Sequence, residues 1–152
     1  MKKVTLYTDG ACSGNPGIGG WAYILMYNGH EKRGSGVENK TTNNRMVMFA
    51  IIEALLKLKE PCEVEIYSDS AYTVNGFNLG WIYNWEKNGW KKADNKPLLN
   101  DDLWKSLWVL ARAHKLTFIK VKGHADNEYN NQCDKMATGA IKQYEKELGI
   151  SI

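Results

Sequence analysis

The dipeptide Asn28-Gly29 separates two strand-like runs, "GWAYILMY" at 20–27 and "EKRGSGV" at 31–37. A tight hairpin turn of the twisted kind needs positive φ at both central positions, and Asn-Gly supplies it at the lowest steric cost. Before these runs, "KKVTLYTDG" at 2–10 alternates apolar and polar residues and ends in Asp-Gly, so it reads as a strand running into a turn. Three consecutive antiparallel strands are therefore expected to open the fold.

The pattern then changes period. Residues 43–58 read as a helix that Thr41 or Thr42 can cap, too apolar for a surface helix. "CEVEIYSDS" at 62–70 is a fourth strand, also ending in an aspartate. A short helix is expected at 71–76 and another over "GWIYNWEKNGW" at 80–90, with "KKADNKP" as a loop. "NDDLWKSLWVLARAH" is an amphipathic helix whose first turn is acidic, which complements its dipole. "LTFIKV" is a fifth strand and "NEYNNQCDKMATGAIKQYEKEL" a closing helix. The order predicts an α/β sheet with helices on its faces, the fourth strand returning parallel to the first through a right-handed crossover.

Length and composition limit the remaining classes. A chain of 152 residues that is 43% hydrophobic fits one domain over 1–152 with a sizeable core. Charged residues interrupt every apolar stretch before membrane-spanning length, and the N-terminus lacks a signal-peptide pattern, so a cytoplasmic protein is expected. Cys12, Cys62 and Cys133 are odd in number and form no CxxC pair, which points to reduced thiols rather than a disulfide framework or zinc site. Nothing suggests an extra apolar interface, so a monomer is expected.

Charge is unevenly distributed. Residues 81–122 carry nine basic and four acidic side chains, whereas residues 1–80 carry eight of each. Five of the six tryptophans fall in that basic region. Lysines alone would describe an ordinary solvated face; interleaved with aromatics they suit a polyanion.

Asp9 and Asp69 each end a strand, in "LYTDG" and "IYSDS". On neighbouring parallel strands the two carboxylates would emerge at one sheet edge, about 5 Å apart. Like charges that close repel unless a cation lies between them, and hard divalent ions prefer carboxylate oxygens. Taken singly, either aspartate could cap the turn that follows it. His124, in "VKGHADN", lies on a loop, where an imidazole can carry protons near neutral pH.

Together "TDGACSGNPGIGGWA", "TTNNRM", "SDSAYTVNG", "WIYNWEKNGWKKADNKP", "NDDLW" and "VKGHADNEYNNQCDKMA" resemble the type 1 ribonuclease H family, in order, over roughly residues 3–140. The resemblance implies a ribonuclease H-like fold: a five-stranded mixed sheet of order 3-2-1-4-5 with helices on both faces. It implies endonucleolytic hydrolysis of the RNA strand of RNA–DNA hybrids, leaving 5′ phosphates, with two Mg²⁺ ions for which Mn²⁺ can substitute. Of the family's four carboxylates, Asp9, Asp69 and Asp134 match the first, third and fourth, all metal ligands. His124 matches the histidine linked to proton transfer or product release.

The second family carboxylate is the glutamate of "NNRME"; here the motif is "NNRMV", which puts Val47 in its place. Glu53 lies six residues on, about 600° around a helix and so about 240° away from Val47, and cannot take over. Valine offers no oxygen, so hydrolysis is expected to be severely weakened; the alternative is a catalytically inactive hybrid-binding domain.

The resemblance also implies a nucleic-acid surface. Trp81, Trp85, Lys87, Trp90 and Lys91 match the basic protrusion that grips the DNA strand, whereas Trp104 and Trp108, spaced i, i+4, are expected in the core. Asn15, Asn43 and Asn44 match contacts to the minor groove, where 2′-hydroxyls distinguish RNA. Lys40, Thr42 and Asn100 match a pocket for one DNA phosphate.

Overall fold

The computed structural model describes residues 1–122 and 127–149. Five strands form one sheet: β1 (Lys2–Gly14), β2 (Gly17–Tyr27), β3 (His30–Thr41), β4 (Cys62–Ser68) and β5 (Lys115–Lys120). Their order is β3-β2-β1-β4-β5, with β1–β2 and β2–β3 antiparallel and β1–β4 and β4–β5 parallel. The expected mixed sheet is therefore present. Tyr27 pairs with His30 across the Asn28-Gly29 turn, where φ is +48° and +78°.

Five helices cover the sheet: α1 (Asn43–Leu55), α2 (Ala71–Asn78), α3 (Trp81–Lys87), α4 (Asp101–Ala113) and α5 (Glu128–Glu147). The Thr42 side chain, rather than that of Thr41, caps α1 by accepting from Arg45 N at 3.3 Å. On one face α1 packs on β1 and β2, with α2, α3 and α4 beside it; α5 covers β1, β2 and β3 on the other. The larger core lies on the α1 side, around Leu6, Met48, Ile51, Ile66, Trp104 and Leu107. A smaller one, Ala22, Ile24, Cys133 and Ala137, lies beneath α5.

Several expected boundaries are corrected: α1 ends at Leu55 rather than at 58, α3 at Lys87 rather than at 90, and β3 runs on to Thr41. β1 does not turn at Asp9-Gly10 but continues to Gly14, because β2 stays paired with it as far as Gly14–Gly17. Gly10 is needed here for a close approach: a Cβ would lie 2.4 Å from the Val47 nitrogen, so strand and helix meet backbone to backbone. The three cysteines are free thiols, and Cys62 and Cys133 are buried. Among the described residues no helix is long and apolar enough to cross a membrane.

Candidate active site and nucleic-acid interface

The order of the sheet determines where a site can form. Chain connections leave β1 and β4 in opposite directions, so the crevice beyond their carboxyl ends is the switch point at which open α/β sheets bind ligands. The parallel β1–β4 ladder ends at Tyr7–Tyr67. Two residues beyond this pair stand Asp9, still in β1, and Asp69, just past the end of β4, so the same chain direction and register deliver both carboxylates to that crevice.

The third carboxylate comes from α5. Asn127 caps this helix by accepting from Tyr129 N and Asn130 N. Asn130 then donates from Nδ2 to Thr8 O at 3.1 Å and to Tyr67 O at 3.0 Å, tying the helix across the seam between β1 and β4. One turn later, on the same side of the helix, comes Asp134. It hydrogen-bonds the Asp9 carboxyl. Cys133 and Ala137 press the intervening face of α5 onto the sheet.

These side chains border a cleft of about 490 Å³, whose walls also include Asn43, Asn44, Val47 and Tyr72. Val47 is only 2% exposed and belongs to the larger core. It contributes hydrocarbon to the lining of the cleft that the three carboxyl groups border. Burial above all, and then the Asp69 and Asp134 carboxyls, push Asp9 up to about 8, although the Gly10 N–H donates to Asp9 Oδ1 at 2.8 Å and opposes the rise. Among the described residues no three His, Cys, Asp or Glu side chains are spaced as a finished metal cage.

The ribonuclease H family model matches residues 1–142. The chain belongs to the ribonuclease H family. A ribonuclease H of Acetivibrio thermocellus is 60% identical over 147 residues, covering 97% of this chain and all of that protein. The crystal structure of LC9-RNase H1, a type 1 RNase H with the type 2 active-site motif, is 29% identical at a TM-score of 0.82, over 94% of this chain and 74% of that one. LC11-RNase H1 in complex with RNA/DNA hybrid, 22% identical over 93% of this chain and 98% of that one, shares the fold at a TM-score of 0.68.

The positions expected to meet nucleic acid in this family member fall into three groups. Asn43 and Asn44 open α1 on the wall of the cleft, and Asn15, in the β1–β2 turn, accepts from Asn43 N at 3.3 Å. Lys40 is exposed and lines a smaller cavity of about 160 Å³ with Thr41 and Arg45, while Thr42 is the α1 cap. Asn100 is almost buried, at the start of α4 with φ +61°. Its Oδ1 accepts from Arg45 Nη1 at 3.3 Å and its Nδ2 donates to the Tyr72 hydroxyl at 3.3 Å.

The protrusion is built on α3. Trp81 is 37% exposed and tilts against half-buried Trp85, which in turn packs on fully buried Trp104. Trp90, with φ +64°, meets half-buried Trp108 edge to face, and Lys87 and Lys91 are exposed. Trp81, Trp85 and Trp104 thus form an aromatic wedge from surface to core, with the Trp90–Trp108 pair as a second aromatic contact. His124 lies outside the described residues.

Sequence reasoning missed three residues of this site. Asn130, Tyr72 and Arg45 act through partners 28 to 122 positions away, and no local pattern marks them. Arg45 also grips Asp102, Nη1 to Oδ1 at 2.9 Å and Nη2 to Oδ2 at 2.7 Å, which fastens the start of α1 to α4.

Proposed function

We propose that this chain is a metal-dependent endonuclease for the RNA strand of RNA–DNA hybrids, with hydrolysis severely weakened by Val47. The observation that carries the reading is the joint arrival of Asp9, Asp69 and Asp134 at one cleft that Asn43 and Asn44 also line.

The donor set fits a hard divalent ion. It offers carboxylate oxygens only, crowded enough that Asp9 retains a proton to about pH 8 in the absence of a cation. Mg²⁺ is commonly held by one or two carboxylates, with water and substrate phosphates completing its shell. Asp9, Asp69 and Asp134 would hold it, with Mn²⁺ as a substitute. Bound at these carboxylates, Mg²⁺ would activate water for attack on the phosphodiester and stabilise the departing 3′ oxygen.

The chain's own groups do the rest. Asn130 holds the β1–β4 seam and the Asp134 turn in fixed relation, so the carboxylates are placed before substrate arrives. Asn15, Asn43 and Asn44 present short amides that can both donate to and accept from a 2′-hydroxyl. Lys40, Thr42 and Asn100 accommodate a DNA phosphate. Lys87 and Lys91, with Trp81, Trp85 and Trp90, meet the DNA backbone further along. His124, by its match to the family, serves proton transfer or product release. Val47 presents methyl groups where the family has a ligand and a 2′-hydroxyl contact.

The buried hydrocarbon of Val47 also supports a second reading, a hybrid-binding domain without catalysis. Cleavage of an end-labelled hybrid across Mg²⁺ and Mn²⁺ concentrations separates the two. The nuclease reading expects slow, metal-dependent cuts in the RNA strand alone, accelerated roughly a hundredfold or more in Val47→Glu. Tight hybrid binding with no cut at any metal concentration leaves the binding domain. A folded Val47→Glu protein with no gain in rate shows that position 47 is not where the missing ligand belongs.

A further inference from the structure

Arg45 adjoins all three positions that match a DNA-phosphate pocket. Its backbone N–H donates to Thr42 Oγ1 at 3.3 Å. Its Nη1 donates to Asn100 Oδ1, also at 3.3 Å. It shares the lining of the cavity of about 160 Å³ with Lys40. Those three positions come from the end of β3, the cap of α1 and the start of α4.

Hydrogen-bond polarity gives this arrangement a consequence. An ionised phosphodiester offers acceptor oxygens only, so a site for it must present donors. Lys40 carries donors alone, but Thr42 and Asn100 each carry an acceptor as well. An acceptor turned towards the phosphate would repel it. Arg45 engages the acceptor atom of each, and neither an amide N–H nor a guanidinium can accept in return. Thr42 keeps its O–H. Asn100 donates one Nδ2 hydrogen to the Tyr72 hydroxyl at 3.3 Å and keeps the other.

Asn100 does not spend its side chain on the helix it precedes. It stands at the start of α4 with φ +61° and makes no side-chain cap bond. An asparagine in that place commonly caps with its oxygen; here the oxygen goes to Arg45. The guanidinium is itself held, Nη1 and Nη2 on the two Asp102 oxygens at 2.9 and 2.7 Å, so it cannot swing away.

We propose that Arg45 is a positioning residue for substrate binding, engaging the acceptor atoms of Thr42 and Asn100 so that both present donors to a phosphate of the DNA strand. It does this without meeting the phosphate itself. The proposal rests on the hybrid-binding reading above.

The test is hybrid binding in EDTA, so that no strand is cut, with one DNA linkage at a time replaced by an uncharged methylphosphonate. In the parent one such position should weaken binding roughly three- to tenfold. Arg45→Met removes the donor to Asn100 and leaves the Thr42 bond, which is made by the backbone. It should bind the unmodified hybrid more weakly by a similar factor and be nearly indifferent to that methylphosphonate. In an Asn100→Ala background the same change should cost little more, because its effect passes through the carboxamide. Side-chain ¹⁵N signals of the parent provide a readout independent of the variants' folding. Asn100 Nδ2 should move on binding the unmodified hybrid and not on binding the one neutralised at that linkage, while Arg45 Nη stays in place. A parent-like linkage profile in Arg45→Met, or an equal loss in the Asn100→Ala background, would leave Arg45 as a tie between α1 and α4 only. Arg45 Nη signals that follow the phosphate would make it a direct contact and overturn the positioning role. Either result leaves hybrid binding intact, whereas failure of the parent to bind any hybrid would remove both readings.

Discussion

Tyr7 and Tyr67 form the last pair of the parallel β1–β4 ladder, and their rings stack with centroids 5.2 Å apart. Beyond this pair no β1–β4 ladder joins the two strands to each other, yet the next residues must place Asp9 and Asp69 side by side. Tyr129 of α5 stacks on Tyr7 at 4.9 Å, and one residue later Asn130 bridges the two strands. The helix thus replaces the missing backbone bonds at the point where the site begins.

Removing that bridge should cost both stability and alignment. Asn130→Ala leaves Thr8 O and Tyr67 O without this donor in a buried setting, at about 1–3 kcal/mol. The expected result is a lower urea midpoint with an unchanged slope. In a Val47→Glu background hydrolysis should fall by more than the lost stability explains, measured well below the melting temperature. Full activity in a destabilised Asn130→Ala protein would show that the seam holds itself.

The carboxylate crowding makes a pH prediction whose sign is determined. Asp9 ionises near 3.8 when exposed and near 8 in the fold, so its contribution to stability is complete below about pH 4 and lost as pH rises through about 8. With chelator present, Asp9→Asn should remove this loss. At pH 8 it should be more stable than the parent by roughly 2–5 kcal/mol, with the difference vanishing towards pH 4. Denaturant titrations at stepped pH measure this. Added Mg²⁺ should stabilise the parent more at pH 8 than at pH 5 and do little for Asp9→Asn.

Much of this arrangement is legible in the chain itself, and the reason is local chemistry. Asn28-Gly29 specifies its turn through φ alone, Thr42 its cap through one side-chain oxygen, and the matched runs "LYTD" and "IYSD" set Asp9 and Asp69 equally far beyond the Tyr7–Tyr67 pair. What escaped reading depends on distant partners. The end of β1 is set by how far β2 accompanies it, not by Asp9-Gly10. Arg45 resembles any helix arginine until Asp102 and Asn100 are brought to it. Tyr72 passes for a core aromatic until the donors around its hydroxyl are counted.

His114 gives an opposite pH response at the far end of the same sheet. It ends α4, is almost buried, and its Nδ1 accepts from Cys62 N at 3.1 Å, joining α4 to the first residue of β4. Burial lowers its pKa below 6.5. The stability it supplies is present above pH 6.5 and is lost as pH falls through the lowered value. His114→Ala should cost about 1–3 kcal/mol at pH 8 and flatten the stability profile on the acid side of neutrality. An equally steep profile in the variant would place the acid sensitivity elsewhere.

The protrusion can be tested by salt. Lys87 and Lys91 are exposed beside the tryptophan wedge and form no ion pair among the described residues. If they neutralise phosphates, the double change Lys87→Ala, Lys91→Ala should reduce the slope of log affinity against log salt by roughly 1–2. Affinity should fall for every hybrid sequence alike. An unchanged slope would mean that the lysines face solvent in the complex.

Val47 brings stability and chemistry into opposition. It sits in the larger core at 2% exposure, while its helix backbone abuts Gly10, one residue from Asp9. A glutamate there would bring a fourth carboxyl to a cleft where burial and the Asp69 and Asp134 carboxyls already raise the Asp9 pKa, and would remove two methyl groups from the core. Breaking apolar packing to leave an uncompensated buried charge costs about 3–5 kcal/mol, so Val47→Glu should melt well below the parent in chelator. A divalent ion reverses the sign of the electrostatic contribution, because each added carboxylate then strengthens binding. The variant should therefore recover much of its lost stability on Mg²⁺ or Mn²⁺ addition, and its midpoint should depend on metal concentration more steeply than the parent's. Calorimetric scans of both proteins across metal concentrations would show this; equal metal responses would mean that the side chain at 47 does not reach the ions.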